Sequence, residues 1–161
     1  GVLFIDEAYS LARGGEKDFG KEAIDTLVKA MEDHKNQFVL ILAGYTMETE
    51  AFLMTNPGLP SRFPIQIEFP DYSIDQLTQI AEGMVKEREY TLLPQSLSKL
   101  RQLIVEEKNE SIYHFSNARF VRNVLERAIR NQAVRLLAQH PGGSPGRLEL
   151  MSLRPEDIRS L

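Results

Sequence analysis

The sequence predicts an α/β fold in its first part and an all-helical fold in the remainder. Continuous apolar runs predict strands at residues 2–6 and 38–43, of the kind buried on both faces of a parallel sheet. A period of two over residues 64–69 predicts a third strand. With helical segments between them, the order strand, helix, strand, helix, strand favours a parallel sheet up to Pro70.

The connecting segments of this first part alternate between loops and helices. Residues 10–20 are polar and contain glycines, which favours a loop. Residues 21–34 predict a helix and residues 47–54 a shorter one, whereas the two prolines of residues 56–60 predict a rigid turn. The apolar positions at helical spacing in the first helix are Ala23, Ile24, Leu27, Val28 and Met31.

Beyond the predicted third strand, only helical patterns remain. The change in pattern places a domain boundary near residues 70–73, so we expect domains at 1–71 and 72–161. The first of the longer predicted helices begins at Ser73 or Asp75 and extends to about residue 88. The second begins at Pro94 and Ser96 and extends to about residue 108. The third begins at Ser116 or Asn117 and extends to about residue 139.

The C-terminal end of the chain is divided by proline and glycine. Residues 141–146 form a clear break between elements. Residues 147–153 predict a short extended piece, and Pro155 is expected to begin a final short helix.

The composition excludes several classes of protein. The chain has 161 residues, with 42% hydrophobic and 26% charged side chains, as in a soluble globular protein. A net charge of −4 argues against a dedicated nucleic-acid binder. The absence of cysteine excludes disulfides and fits a reducing compartment such as the cytoplasm. No apolar run is long enough for a membrane span, no signal peptide is visible, and a strand beginning directly after Gly1 suggests the C-terminal part of a longer protein.

Two adjacent carboxylates, Asp6 and Glu7, follow the first strand directly. Ligands of open α/β sheets bind beyond the carboxyl ends of the strands. One carboxylate there can hold Mg²⁺, usually through water, and the next can orient or deprotonate an attacking water. This is the arrangement of a Walker B segment in a nucleotide hydrolase. The alternative is a strand that ends in a solvated acidic turn.

The second strand ends in Ala-Gly-Tyr-Thr, where a polar side chain would lie beside the acidic strand. Such a side chain can contact a γ-phosphate or the attacking water, and Thr46 is the first candidate, with Tyr45 the second. The alternative is an ordinary turn between a strand and a helix.

Arg62 follows the turn that contains Pro57 and Pro60. A guanidinium held rigidly at this place can stabilise the charge that develops on a transferring phosphoryl group, as an arginine finger does. The alternative is a surface arginine in a turn.

Arg119 and Arg122 lie in the first turns of the long predicted helix. Positive side chains near a helix N-terminus oppose the helix dipole, and a bound phosphate would compensate for this. A basic, solvated helix face or pairing with acids elsewhere is the alternative for the arginines that follow, which are Arg127, Arg130 and Arg135.

Other common sites are missing from the sequence. No segment matches the phosphate-binding pattern G-x-x-x-x-G-K-[ST]. His34, His114 and His140 are isolated and lack the spacing of metal ligands.

Taken together and in this order, the motifs resemble the second half of an AAA+ ATPase. They are similar to one branch in particular, which contains stage V sporulation protein K and the red-type Rubisco activases, and the resemblance covers essentially the whole chain. The C-terminal segment 153–157 and the arginine-rich helix favour the sporulation protein. The segments that carry the resemblance are Gly1–Leu11, Leu42–Tyr45, Asn56–Phe63 and Asn117–Asn123.

The resemblance implies a partial AAA+ nucleotide-binding core, with three strands of a five-stranded parallel sheet, followed by an all-α helical lid subdomain. The Walker A loop would lie upstream, on a strand between those at 38–43 and 64–69. Strand 64–69 would then lack a parallel neighbour and expose apolar edges. We therefore expect this chain alone neither to bind ATP tightly nor to hydrolyse it.

The resemblance also assigns roles to the candidate residues. Asp6 would help to hold Mg²⁺ through water, and Glu7 would activate the attacking water. Thr46 would fill the sensor-1 position. Arg62 would act as arginine finger on ATP bound by the neighbouring subunit, and Arg119 would be sensor 2, reaching the phosphates from the lid.

The function implied is that of a ring-forming, hexameric ATPase that couples hydrolysis of Mg·ATP to remodelling of a protein partner, with a role in sporulation. The loop 13–20 would correspond to the second pore loop, which faces the substrate. Two rivals remain: a DNA-acting motor or loader of the same fold, and a non-catalytic interaction module with a decayed nucleotide site.

Overall fold

The computed structural model describes residues 1–14, 19–35, 37–111 and 115–160. The chain divides into two compact units, Gly1–Phe69 and Pro70–Leu161, which we describe separately. None of the helices in the described ranges is both long and apolar enough to cross a membrane.

Unit 1 is built around a pair of parallel strands. The strands align in register from Val2 opposite Val39 to Ile5 opposite Leu42. Parallel strands need a crossover connection, which a helix supplies here. The elements are β1 Val2–Ile5, a 3₁₀ helix Ala8–Ala12, α1 Gly20–Asp33, β2 Val39–Leu42, α2 Thr46–Leu53 and α3 Leu59–Arg62.

The core of unit 1 lies between the helices and one end of the strand pair. It is formed by side chains from the 3₁₀ helix and from all three α-helices, against which Ile5 and Leu42 pack from the strands. The other strand side chains remain largely open, with Val2 70% and Phe4 58% exposed. The buried members of this core are Ala8, Tyr9, Ile24, Phe52, Leu53 and Leu59.

The predicted third strand does not form in this chain. Residues 64–69 belong to no strand, because a strand requires a hydrogen-bonded neighbour and the sheet described here contains only β1 and β2. The expected apolar exposure is present, since Ile65, Ile67 and Phe69 are 79%, 74% and 88% exposed. The alternating apolar side chains are thus present as predicted, but no other part of the described residues packs against them.

Unit 2 is helical, as predicted, and its first helix begins with the expected cap. The Ser73 hydroxyl accepts a hydrogen bond from the Gln76 N–H, and the Gln76 side chain accepts one from the Ser73 N–H. This capping box satisfies two N–H groups that a helix start leaves open. The elements are α4 Ile74–Glu87, β3 Thr91–Leu92, α5 Pro94–Glu110, α6 Ala118–Gln139, α7 Arg147–Met151 and β4 Ser152–Leu153.

The C-terminal end of unit 2 differs from the prediction. The piece expected to be extended is mostly the short helix α7, which begins as the Glu149 carboxylate accepts a hydrogen bond from the Gly146 N–H. Only β4 is extended, and it pairs in parallel with β3. Pro155 opens a turn rather than a helix: the Asp157 N–H donates to the Arg154 carbonyl and the Ile158 N–H to the Pro155 carbonyl. The Asp157 carbonyl accepts a hydrogen bond from the Asn131 side chain of α6, so it is not used to continue a helix.

A buried ion pair fastens this C-terminal segment to α6. The Arg135 guanidinium donates two hydrogen bonds to the Asp157 carboxylate, at 2.8 and 2.9 Å, and Asp157 is 1% exposed. The same carboxylate accepts a bond from the Arg154 N–H at 2.9 Å. The hydrogen bond to Asp157 raises the pKa of Arg135 above its ordinary value. Asp157 is therefore fully paired, as a buried charge must be.

Polar side chains secure the same segment from two further positions. The buried Ser96 hydroxyl donates to the Leu153 carbonyl at 2.7 Å. The Gln132 side-chain amide, also buried, donates to the carbonyls of Glu149 and Leu150. Leu153 and Ile158 are thereby held in the apolar core of the unit, where both are fully buried.

We expect Arg135→Met to lower the free energy of unfolding of unit 2 by about 3 kcal/mol, because Asp157 would be left buried without its partner. Arg130→Met is the matched control, since Arg130 is exposed on the same helix, and we expect a change below about 0.5 kcal/mol. Urea unfolding followed by circular dichroism measures both. Equal effects of the two substitutions would contradict the assignment, and the double variant with Asp157→Leu should lose less stability than Arg135→Met alone.

Candidate active site

The strand register places the two acidic residues at the carboxyl end of the sheet. The last paired residues are Ile5 and Leu42, and the chain after each strand continues the contact. The Ala43 N–H donates to the Ile5 carbonyl at 2.9 Å, and the Ala8 N–H donates to the Ala43 carbonyl at 3.3 Å. Asp6 and Glu7 therefore lie directly beside the turn that follows β2, and both side chains are exposed.

Glu7 has a strained backbone. Its φ of 49° and ψ of 42° lie in the left-handed region, which for a residue with a side chain costs about 1–2 kcal/mol. The Asp6 carboxylate supports the turn, because its Oδ1 accepts a hydrogen bond from the Glu7 N–H at 3.0 Å. Such strain concentrates at functional sites. The left-handed conformation turns the chain at Glu7 away from the extended direction of β1.

An aromatic cluster lies behind the acidic turn. The Tyr9 ring is buried, its centroid is 6.5 Å from that of Tyr45, and the Arg13 guanidinium lies 4.5 Å from its centre. Burial, followed by the negative charge of Glu7, raises the pKa of Tyr9 above its ordinary value. Gly44 is required for this packing, because a Cβ there would approach the Tyr9 ring to 2.9 Å. Sequence reasoning missed Tyr9, which follows the acidic pair without any motif of its own.

The two sensor candidates lie at the start of α2. Tyr45 is the extended N-cap residue and Thr46 is the first helical residue, and both are exposed. Thr49, one turn into the helix, has a buried hydroxyl without a hydrogen-bond partner among the described residues. Both candidates follow the strand that pairs with β1, and the sensor assignment between them stays a prediction.

Arg62 is the last residue of α3 and is held inside unit 1. Its Nη1 donates to the Gly58 carbonyl at 2.8 Å, and its Nη2 forms an ion pair with Glu32 of α1. The side chain is 23% exposed, so one part of the guanidinium still meets solvent. The structure therefore holds Arg62 in a fixed position, as the rigid turn in the sequence suggested. The short helix α3, and not the turn alone, provides this position.

Arg119 lies in the first turn of α6, whose N-terminus has no side-chain cap. Asn117 is the N-cap residue, but its side chain accepts a hydrogen bond from the Tyr72 N–H and donates one to Asp71. Arg119 and Arg122 are exposed, and neither has an ion pair with any residue that the structure describes. The start of α6 thus combines the absence of a side-chain cap with two exposed arginines.

The later arginines of α6 do not form one basic face. Arg135 is buried against Asp157, and Arg127 donates to the Ser160 carbonyl at 2.9 Å. For Arg135, pairing with an acid elsewhere in the fold is the correct interpretation, whereas Arg127 is exposed and its hydrogen bond is to a backbone carbonyl. Arg130 remains exposed.

The residues at the end of β1 fit a magnesium ion bound chiefly through water. Mg²⁺ is usually held by one or two carboxylates together with water and phosphate oxygens, rather than by a cage of protein ligands. Asp6 offers an exposed carboxylate with one oxygen free of the bond to Glu7, which matches that requirement. Within the described ranges no three His, Asp or Glu side chains converge on a metal site.

Two predicted features lie partly outside the described residues. Residues 15–18 of the loop 13–20 are not described, and neither is His114. Of the other histidines, His34 is exposed, and the His140 Nε2 lies 3.4 Å from a Glu149 carboxylate oxygen.

Comparison with known proteins agrees with this geometry. The model of the ATPase family associated with various cellular activities (AAA) matches residues 1–71, and that of the AAA lid domain matches residues 73–160. The chain is 57% identical over 98% of its length to stage V sporulation protein K of Bacillus subtilis. It is 44% identical over 99% of its length to the protein CbbX of Cereibacter sphaeroides.

A further relative is the chloroplastic ribulose bisphosphate carboxylase/oxygenase activase of Cyanidioschyzon merolae, 41% identical over 98% of this chain. The chain spans about half the length of these relatives, 48%, 51% and 53%, respectively. The expected branch is thereby confirmed, as is the fold of a partial AAA+ core followed by a helical lid. The chain belongs to the AAA family of ATPases and carries the family's lid domain.

Proposed function

We propose that this chain is the Walker B-to-lid portion of an ATPase that works as a ring. The observation that carries the proposal is the pair Asp6 and Glu7, placed by the strand register at the carboxyl end of a parallel sheet, with Glu7 in a strained turn. Family membership supports nucleotide binding and hydrolysis. The activity belongs to the full-length protein, which would supply the Walker A loop.

Asp6 and Glu7 have separate roles in this proposal. Asp6 would help to hold Mg²⁺, and the ion would neutralise charge on the ATP phosphates. Glu7 accepts a hydrogen bond from the attacking water and takes up its proton as the water oxygen bonds to the γ-phosphorus. The bond between that phosphorus and the β–γ bridging oxygen breaks in the same reaction, and ADP leaves. Because the Glu7 side chain is exposed and leaves β1 in a left-handed turn, it can reach a substrate bound beyond the sheet edge.

Arg62 and Arg119 supply positive charge from two different units of the fold. Arg62 acts as an arginine finger on ATP bound by the neighbouring subunit, which requires a closed ring, and the expected ring is a hexamer. Arg119 acts as sensor 2 from the lid, where the uncapped start of α6 supports an anion. Thr46 contacts the γ-phosphate or the attacking water as sensor 1.

The work that hydrolysis drives is the remodelling of a protein partner. The names of the relatives offer two settings, sporulation and activation of ribulose bisphosphate carboxylase/oxygenase. The higher identity to the sporulation protein favours the first, in the cytoplasm. The partner itself would be gripped by loops of the ring, including the loop 13–20.

A DNA-acting motor is the first rival, and the charge of the chain speaks against it. The net charge is −4, and the charge of Arg135 is neutralised by the buried Asp157. Salt-dependent DNA binding, measured by fluorescence anisotropy, would revive this rival. A non-catalytic module is the second rival, and it would be favoured if the full-length protein lacked a Walker A lysine.

We expect Glu7→Gln in the full-length protein to lower kcat for ATP hydrolysis by about 10²-fold or more while ATP binding persists, because the amide keeps the shape and loses the base. Glu50→Gln is the matched control, since Glu50 is an exposed acid of the same unit on α2. Steady-state hydrolysis and binding of a fluorescent ATP analogue measure both effects. A Glu7 variant with unchanged kcat would rule out the base.

Mixing variants tests whether Arg62 acts between subunits. We expect Arg62→Ala and Glu7→Gln subunits to be inactive alone and to regain part of the activity when mixed. In a mixed ring an intact Glu7 on one subunit can meet an intact Arg62 from the next. Hydrolysis measured across mixing ratios follows this recovery. A strictly additive, inactive mixture would show that Arg62 and Glu7 serve the same subunit or do not cooperate.

The 161-residue chain by itself is expected to show neither saturable ATP binding nor hydrolysis above background, because no segment matches the Walker A pattern. Isothermal titration with Mg·ATP and a phosphate-release assay measure this directly. Hydrolysis by the purified chain that Glu7→Gln abolishes would overturn the expectation.

A further inference from the structure

We infer that Glu32 is the positioning residue for Arg62, and that α1 serves as the platform on which the finger segment 56–62 is mounted. This inference rests on the proposed role of Arg62 as an arginine finger. No motif in the sequence marks Glu32, which lies near the end of α1 in an ordinary amphipathic helix.

The guanidinium of Arg62 is held at two of its nitrogens. Nη2 is paired with the Glu32 carboxylate, and Nη1 donates to the Gly58 carbonyl at 2.8 Å. A guanidinium has five N–H donors in a rigid plane, so these two bonds leave three for a ligand. The contacts thus fix the plane of the group without exhausting its capacity to bind phosphate oxygens.

Gly58 makes room for this arrangement. A Cβ at Gly58 would lie 2.7 Å from Arg62 Nη1, closer than a real contact allows. Its φ of −81° is one that any residue can adopt, so a side chain here would not strain the backbone but would displace the guanidinium of Arg62. The guanidinium occupies the place that a side chain would otherwise fill.

The other end of the segment is anchored to the same helix. The Asn56 amide donates to the Asp25 carboxylate at 3.0 Å, and its oxygen accepts a bond from the Gly58 N–H at 2.8 Å. Asp25 and Glu32 are seven residues apart, which places them two turns apart on one face of α1. One helix face therefore holds both the start of the segment and its terminal guanidinium.

The consequence for catalysis is preorganisation. An arginine side chain has many rotamers, and ordering it only when the transition state forms would oppose the reaction. Glu32 orders the group beforehand. Because the Glu32 side chain is 61% exposed, the pair adds little to fold stability, so its effect should be seen in turnover and not in melting.

The test compares Glu32→Gln with Asp33→Asn in the full-length protein. Asp33 is the adjacent acid, exposed at the same end of α1, so both substitutions remove one negative charge from the same place. We expect Glu32→Gln to lower kcat by about tenfold with KM for ATP nearly unchanged, and Asp33→Asn to leave kcat as it is. Glu32→Asp, which keeps the charge on a shorter stem, should recover part of the loss.

A double-mutant cycle with Arg62→Ala gives the readout that a merely structural role would not produce. In the Arg62→Ala background, Glu32→Gln should have no further effect on kcat, because the residue through which it acts is gone. Thermal melting of each variant accompanies the kinetics, and unchanged melting temperatures are expected.

The outcomes separate the two levels of the proposal. If Arg62→Ala leaves kcat unchanged, the finger itself is refuted. If Arg62→Ala lowers kcat but Glu32→Gln behaves as Asp33→Asn does, only the positioning role is refuted. An equal loss from Glu32→Gln with and without Arg62 would also refute it, because the effect would then bypass the guanidinium.

Discussion

The parallel pairing of β1 with β2 is the constraint on which the candidate chemistry depends. Because the two strands run in the same direction and in register, the turns that follow them meet at one edge. A shift of one residue would turn every side chain of a strand to the opposite face and carry Asp6 away from the β2 turn. Gly44 allows the turns to approach, since any larger residue would meet Tyr9.

The two units use different means to fix their functional side chains. In unit 1, main-chain register sets Asp6 and Glu7, while α1 holds Arg62 through side chains. In unit 2, a buried network centred on Asp157 fastens the C-terminal segment, and Asn117 diverts its side chain from capping α6 to hold Asp71. Main-chain pairing thus fixes the acidic edge of unit 1, whereas side-chain hydrogen bonds and ion pairs fix the C-terminal segment of unit 2.

The fold class followed from patterns that report burial, and the candidate site followed from charges placed at the ends of those patterns. The prediction of a strand at residues 64–69 was wrong because alternation indicates which side chains would share a face of a strand, but it does not show that a neighbouring strand is present to pair with it. The helix α7 was missed because charged and apolar residues alternate from Arg147 to Leu150, and this period of two favours an extended segment. Glu32 could not be found from sequence, since its role arises only where α1 meets α3.

The left-handed conformation at Glu7 is unfavourable for any residue with a side chain, whereas the chemistry proposed for this position requires a carboxylate. Glycine populates this region of backbone space without steric penalty, so Glu7→Gly would relieve the strain while removing the carboxylate. The residue that best suits this backbone conformation is therefore not one that carries the carboxylate proposed to activate water. Under that proposal, local stability and hydrolysis make opposite demands on a single backbone position.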